Sequence, residues 1–252
     1  MEVNLQAIAA MRAITVSREY GSGGGEIAAR LARKLGWQLI DHAVIEQAAS
    51  ELGVYKTEVE KHDEEYVEST LSRILNRIQN FVTSIPAPTA APGSASSPPA
   101  IETLAYQDTI RHIITAAANT GRVVIVGRGG QVLLADRREV LHIRVVAPLE
   151  LRVAYVARRE GLPMDAARTR AQAKDRARGR YMQTQYHCQH EDPHFYDLVI
   201  DIAVLDLDSA VDLICLALEF KASRLNVPAE ELGPAAHLTP YPGQPADFRV
   251  PG

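Results

Sequence analysis

The stretch from Ile14 to Ala28 constrains this chain more than any other. A short β-branched run, Ile14-Thr15-Val16, enters a turn made of Gly21, Ser22, Gly23, Gly24 and Gly25. The turn opens into a helical pattern with Ile27, Leu31 and Leu35 on one face and Gly36 as its stop. Backbone N–H groups at such a junction, backed by the positive end of a helix, favour an anion and phosphate above all. The ordinary phosphate loop reads G-x-x-x-x-G-K-[ST]. Gly23 fits its second glycine, but Gly24 stands in the lysine position and Gly25 in the hydroxyl position. The backbone cradle is present and its two reactive side chains are missing. A plain tight turn with no ligand is the competing reading, and the placement between a first strand and a strong helix favours the phosphate loop.

The same alternation continues along the chain. Strands are predicted at 13–17, 37–41, 122–126, 140–146 and 197–205. Helical patterns lie between them: from Ala43 with Val44, Ile45, Ala48, Ala49 and Leu52, over Thr57–Val82, over Ile101–Thr120, and after Pro148 and Pro163. A last helix, capped by Asp208, carries Val211, Ile214, Cys215 and Leu218. Strands separated by helices pair in parallel, which predicts an α/β class chain: a doubly wound five-stranded parallel sheet with helices on both faces, one domain over residues 1–225. Residues 43–120 read as a helical insert interrupted by a proline-, alanine- and serine-rich loop at 84–100, and 226–252 as a patternless Pro/Gly-rich tail. Ligands of such sheets sit beyond the carboxyl ends of the strands, so the glycine turn, Asp41 and Arg128 should converge on one crevice.

Composition narrows the partners. A net charge of −4 argues against a nucleic-acid polymer or a membrane surface, while arginines crowd between Arg152 and Arg180, a pattern suited to a small anion. No run approaches the length of a membrane-spanning helix, Met1 to Arg12 does not read as a signal peptide, and two cysteines build no disulfide framework, so a cytoplasmic location is expected. Arg122, Arg137, Arg138 and Arg144 read as surface charges. His187, Cys188, His190, Glu191 and His194 lie close together without a zinc-like spacing and read as a polar loop, so no metal ligands are assigned.

Ser17-Arg18-Glu19-Tyr20-Gly21-Ser22-Gly23-Gly24, then Ile27-Ala28, Asp41-His42 and Val126-Gly127-Arg128-Gly129, together resemble the cytidylate kinase-like family, a branch of the P-loop nucleoside monophosphate kinases. The resemblance runs from about Ala13 to Lys221, outside the proline-rich loop. It implies a P-loop NTP hydrolase or nucleoside monophosphate kinase-like fold with helical acceptor-binding and lid segments, the lid falling at 161–196. It also implies transfer of the ATP γ-phosphoryl group to a monophosphate such as CMP or dCMP, with Mg²⁺ as the cofactor that accompanies ATP. Gly21, Ser22, Gly23, Gly24, Gly25 and Glu26 would hold the donor phosphates, and Asp41 and Arg128 the acceptor. Asp41 equally reads as the N-cap of the helix that follows it. Ordinary cytidylate kinases have an aspartate after the acceptor arginine, where this chain has Gly129, and members often have arginine or another polar residue in place of Gly25.

Phosphoryl transfer rests on positioning and on neutralising charge, so a loop without lysine needs another cation. Arg18 is the candidate, reinforced by Arg176 and Arg180, which stand four apart in the lid region and can reach one anion together. The same arginines also read as a solvated basic helix. Mg²⁺ would be left to phosphates, water and a carboxylate such as Glu26 or Asp41. Two alternatives remain: a catalytically weak or inactive nucleotide-binding protein with a regulatory role, and a kinase for a non-nucleotide acceptor.

Overall fold

A computed structural model describes residues 3–48 and 100–233. The predicted helix at 57–82, most of the loop at 84–100, Ala49, Leu52 and the tail beyond 233 lie outside the described residues. Five strands form one all-parallel sheet: β1 (Ala13–Arg18), β2 (Gln38–Ile40), β3 (Val123–Val126), β4 (Val140–Val146) and β5 (Leu198–Asp201), in the order β2-β3-β1-β4-β5. The helices between them are α1 (Gly24–Leu35), α2 (Ala100–Thr120), α3 (Gly130–Leu133), α4 (Leu149–Glu160), α5 (Met164–Tyr186) and α6 (Leu207–Ser223), with a further helical segment at 42–48.

The central strands are near-continuous apolar runs because helices cover both sides of the sheet. Alternate residues along each strand face opposite sides. Ile14, Val16, Leu141, Ile143 and Val145 face α1 and α6, where Ile27, Leu31, Ile214 and Leu218 complete the larger core. Ala13, Val123, Ile125 and Val140 face the other side, against Ile110, Ile113, Ile114 and Ala117 of α2 and Ile45 and Ala48 of the 42–48 helix. Gly36 ends α1 in the left-handed conformation, its N–H on the carbonyls of Ala32 and Arg33.

On that second side the carboxyl halves of β1 and β4 change character. Thr15, Ser17, His142 and Arg144 are all buried there. Arg144, expected at the surface, is only 4% exposed. Its Nη1 donates to Ser17 Oγ at 3.2 Å and to the His190 carbonyl at 3.0 Å, and its guanidinium lies 5.8 Å from the Tyr196 ring centre. The segment 187–196 folds back over the sheet and covers it. Three boundaries also differ from expectation. β5 is shorter, ending at Asp201, and Arg122 precedes β3 with a positive φ. The N-cap of α6 is Asp206, whose carboxylate accepts from the Ser209 N–H at 2.7 Å, so Asp208 falls inside the helix.

His142 Nδ1 and Thr15 Oγ1 lie 2.7 Å apart in the buried sheet, and His142 Nε2 has no hydrogen-bond partner among the described residues. Burial, only partly opposed by Asp197, pushes the imidazole down to about 4. The unfolded chain therefore takes up a proton at this site between about pH 6.5 and pH 4 that the folded chain refuses. Stability should fall through that window as the pH drops, by roughly 3 kcal/mol in full. Melting curves of the wild type and of His142→Asn between pH 7 and pH 4 check this, and the variant should show the flatter profile.

Candidate functional site

β1 ends at Arg18 and the chain turns through Glu19, Tyr20, Gly21, Ser22 and Gly23 into α1. Ser22 is fully buried, and its hydroxyl donates to the carbonyls of Glu19 at 3.0 Å and Val145 at 3.2 Å, which pins the turn onto β4. The N–H groups of Gly21, Gly23, Gly24, Gly25 and Glu26 meet no acceptor among the described residues. They form a run of backbone donors at the positive end of a 12-residue helix, the arrangement that holds phosphate. The Glu26 carboxylate turns away to Arg30, 3.4 Å distant.

Arg18 explains the glycine in the lysine position. A Cβ on Gly24 would lie 2.6 Å from Arg18 Cβ and 3.3 Å from its Cγ, so the stem of the arginine crosses the first residue of α1. The far end reaches the end of β3, where Nη1 comes within 2.7 Å of a Cβ placed on Gly127. A side chain on Gly25, by contrast, would meet nothing within 4 Å. The guanidinium sits among Arg178, Arg128 and Asp41. Burial, then the cation of Arg178, holds it down to about 10, so it stays charged at neutral pH in surroundings short of negative charge.

A second arginine fixes the loop to the arginine-rich helix. Arg152 of α4 is buried and donates to the Ala147 carbonyl at 2.9 Å, the Tyr20 carbonyl at 3.1 Å and Asp175 Oδ2 at 2.6 Å, with Glu19 Oε2 at 3.3 Å. Asp175 of α5 uses its other oxygen to accept from the Tyr20 N–H at 2.7 Å. Arg178, one turn on, donates to the Arg18 carbonyl at 3.1 Å and lies 5.5 Å from the Tyr20 ring centre. The lid region is thus one 23-residue helix docked on the loop.

On the far side of the crevice, Asp41 caps the 42–48 helix by accepting from the Val44 N–H at 3.1 Å. Arg128 has a positive φ, donates through Nη2 to His42 Nε2 at 2.6 Å and pairs with Glu46, while its buried Nε has no hydrogen-bond partner among the described residues. Burial and the Arg128 cation hold His42 below its usual range, consistent with a neutral ring that accepts from the arginine. Arg128 also lies 5.7 Å from the Tyr181 ring centre, and Tyr181 Oη is 3.5 Å from Gln107 Oε1 on α2. Tyr186 donates to the Arg128 carbonyl at 2.9 Å, and its ring fills the space beside Gly129, where a Cβ would fall 2.2 Å from Cε2.

The fold therefore brings together the glycine turn, Arg18, Asp41 and Arg128. Arg176 and Arg180 are exposed on the outer side of α5, and it is Arg178 that faces the loop. Arg178 belongs to the arginine cluster read from the sequence, but Arg176 and Arg180 were preferred to it, and Arg152, Tyr181 and Tyr186 were not assigned to the site; the spacing of Asp175 and Arg178 on one helical face was the available signal. In the 187–194 stretch, His190 is buried with its carbonyl on Arg144 and Tyr196, and His194 Nδ1 lies 2.7 Å from Asp192. Among the described residues no group of three or more His, Cys, Asp or Glu side chains is placed to hold a metal, and no helix is long and apolar enough to cross a membrane.

Residues 13–204 match the cytidylate kinase-like family. The chain belongs to that family. Among curated proteins it is 29% identical over 111 residues to a cytidylate kinase from Methanopyrus kandleri, covering 41% of this chain and 58% of that protein. It is also 33% identical over 121 residues to a uronate isomerase from Corynebacterium glutamicum, covering 48% of this chain and 23% of that one. It thus spans less than two thirds of either relative. A crystal structure of an uncharacterized protein from Eubacterium ventriosum superposes with a TM-score of 0.59 at 19% identity, over 82% of this chain and 98% of that one, and shares the fold. Within the matched residues, the glycine turn keeps the strand–turn–helix backbone of a phosphate loop and lacks the lysine of the ordinary motif.

Three variants probe this geometry. Gly24→Ala should destabilise the protein by roughly 1–3 kcal/mol through the clash with Arg18, whereas Gly25→Ala should be neutral or stabilising by up to about 1 kcal/mol; chemical denaturation of both reads the contrast. Asp175→Asn should cost about 1–3 kcal/mol, because Arg152 loses a buried charge-assisted bond, and limited proteolysis should cut α5 faster than in the wild type.

Proposed function

We propose that the protein is a phosphotransferase that moves the γ-phosphoryl group of ATP to a nucleoside monophosphate, with CMP or dCMP as the acceptor. The observation that carries this reading is the run of unpaired loop N–H groups facing the crevice that also holds Arg18, Arg128 and Asp41. Family membership supports the kinase chemistry. In this reading the N–H groups of Gly21, Gly23, Gly24, Gly25 and Glu26 hold the donor phosphates at the positive end of α1. Arg18 and Arg178 neutralise charge on the transferring oxygens, a contribution for which removal of a comparable donor has cost about 10²–10³ in rate. Arg128, its Nε free, grips the acceptor phosphate in exchange for part of its hold on Glu46.

Mg²⁺, when bound with ATP, screens the phosphate oxygens while the arginines act. With no hydroxyl at Gly25, this chain would hold it through the phosphates and water, with Asp41 the carboxylate closest to Arg18 in the crevice. Gly129 contributes no side chain to base selection and Tyr186 fills that volume, so Tyr181, which lies beside Arg128, and Gln107, which accepts from the Tyr181 hydroxyl, are the groups assigned to it.

The missing lysine and hydroxyl favour a second reading, a nucleotide-binding protein without turnover. An assay of ADP release with CMP, dCMP, UMP and AMP, run beside thermal shifts with the same nucleotides, separates them. ADP release that depends on CMP or dCMP is the expected result. Binding without turnover for every acceptor supports the second reading, and turnover only with a non-nucleotide alcohol or acid overturns the acceptor assignment.

A further inference from the structure

The ordinary loop motif has a glycine at its first position and a lysine just after its second glycine. Laid on this chain with Gly23 as the second glycine, the first position falls on Arg18 and the lysine position on Gly24. Side chain and glycine stand in each other's places. The backbone does not require glycine at 24, because that residue begins α1 with ordinary helical geometry and without a positive φ. What forbids a side chain there is the Arg18 stem, 2.6 Å from the would-be Cβ.

We infer that the two positions have exchanged roles, so that Arg18 delivers from the end of β1 the phosphate-facing cation that the ordinary loop delivers from the start of its helix, with Gly24 kept bare for its passage. This rests on the phosphate-binding reading of the loop and not on turnover. Three features of the structure support it. The stem crosses Gly24 and the head reaches Gly127, so two glycines bracket the arginine along its length. No hydrogen bond ties its guanidinium to any group among the described residues, leaving its donors free for an anion. Its surroundings carry two further cations, Arg178 and Arg128, and the carboxylate of Asp41 offsets them only in part. A half-buried cation so placed gains from any phosphate that enters.

The exchange has a direct test, because it can be reversed. Binding of ATP and of inorganic tripolyphosphate is measured by calorimetry, with circular dichroism melts as the check of folding. Arg18→Met keeps an apolar stem over Gly24 and removes the charge, and should weaken tripolyphosphate binding about 10–100-fold with the melt preserved. Gly24→Lys alone should lower the melting temperature, since its Cβ meets the Arg18 stem. The double variant Arg18→Gly/Gly24→Lys, which restores the ordinary order, should melt above Gly24→Lys and bind tripolyphosphate within a few-fold of wild type. Wild-type binding by Arg18→Met overturns the inference. So does a double variant that melts no higher than Gly24→Lys alone, or one that folds and binds no better than Arg18→Met. Because binding is read without an acceptor, a wild type that binds ATP but never turns over would sink the kinase reading and leave the exchange standing.

Discussion

Arg152 is the point through which the site is assembled. A buried guanidinium is costly unless its donors are matched. Here they are spread over a carbonyl at the β4–α4 junction, the loop carbonyl of Tyr20 and the carboxylates of Asp175 and Glu19. Glu19 in turn accepts from the Ala147 N–H at 3.0 Å, and Asp175 from the Tyr20 N–H. The four partners come from three elements: the loop, the turn after β4 and α5. The shape of the loop is thus held by side chains and by the Tyr20 and Ser22 N–H groups, while the N–H groups of Gly21 and of Gly23 to Glu26 meet no acceptor among the described residues. That division of labour is what a phosphate cradle needs. The side chains hold the shape and the backbone is left to hold the ligand.

The sheet and the glycine turn were legible because their signals are local. β3 is a continuous apolar run, β1 and β4 carry apolar residues at every second position, and Gly36, Pro148 and Pro163 mark helix ends by backbone chemistry alone. Convergence of the turn, Asp41 and Arg128 followed from the rule that ligands meet strand ends. The misreadings share a cause, which is contact between residues far apart in sequence. Arg144 alternates along β4 as a solvent-facing residue would, and only the return of Tyr196 and His190 over that side buries it. Asp206 and Asp208 are equally good caps by composition, and the choice between them depends on where β5 releases the chain. The outward placement of Arg176 and Arg180 is likewise decided by docking: Asp175 and Arg178 claim the inner side of α5, and at about 100° per residue Arg176 and Arg180 fall on the opposite side.

The glycine at position 24 shows the same limit most sharply. Read along the sequence it is a loss, a loop stripped of its lysine. Read in three dimensions it is a steric consequence of Arg18, six residues earlier and one element away. Lysine and arginine differ in how they serve here. A lysine at the head of a helix is a flexible point charge that reaches over its ligand, whereas an arginine lying across the loop floor presents a planar fork held by packing along its stem. Such a cation loses little freedom when an anion arrives, and its burial means the anion's charge is felt with little screening from water. The cost falls on the unliganded protein, where Arg18, Arg128 and Arg178 oppose one another across the crevice. On the proposed reading, a phosphate entering between them would relieve that repulsion, so the tension that makes the empty site unfavourable would be the same quantity that favours the filled one.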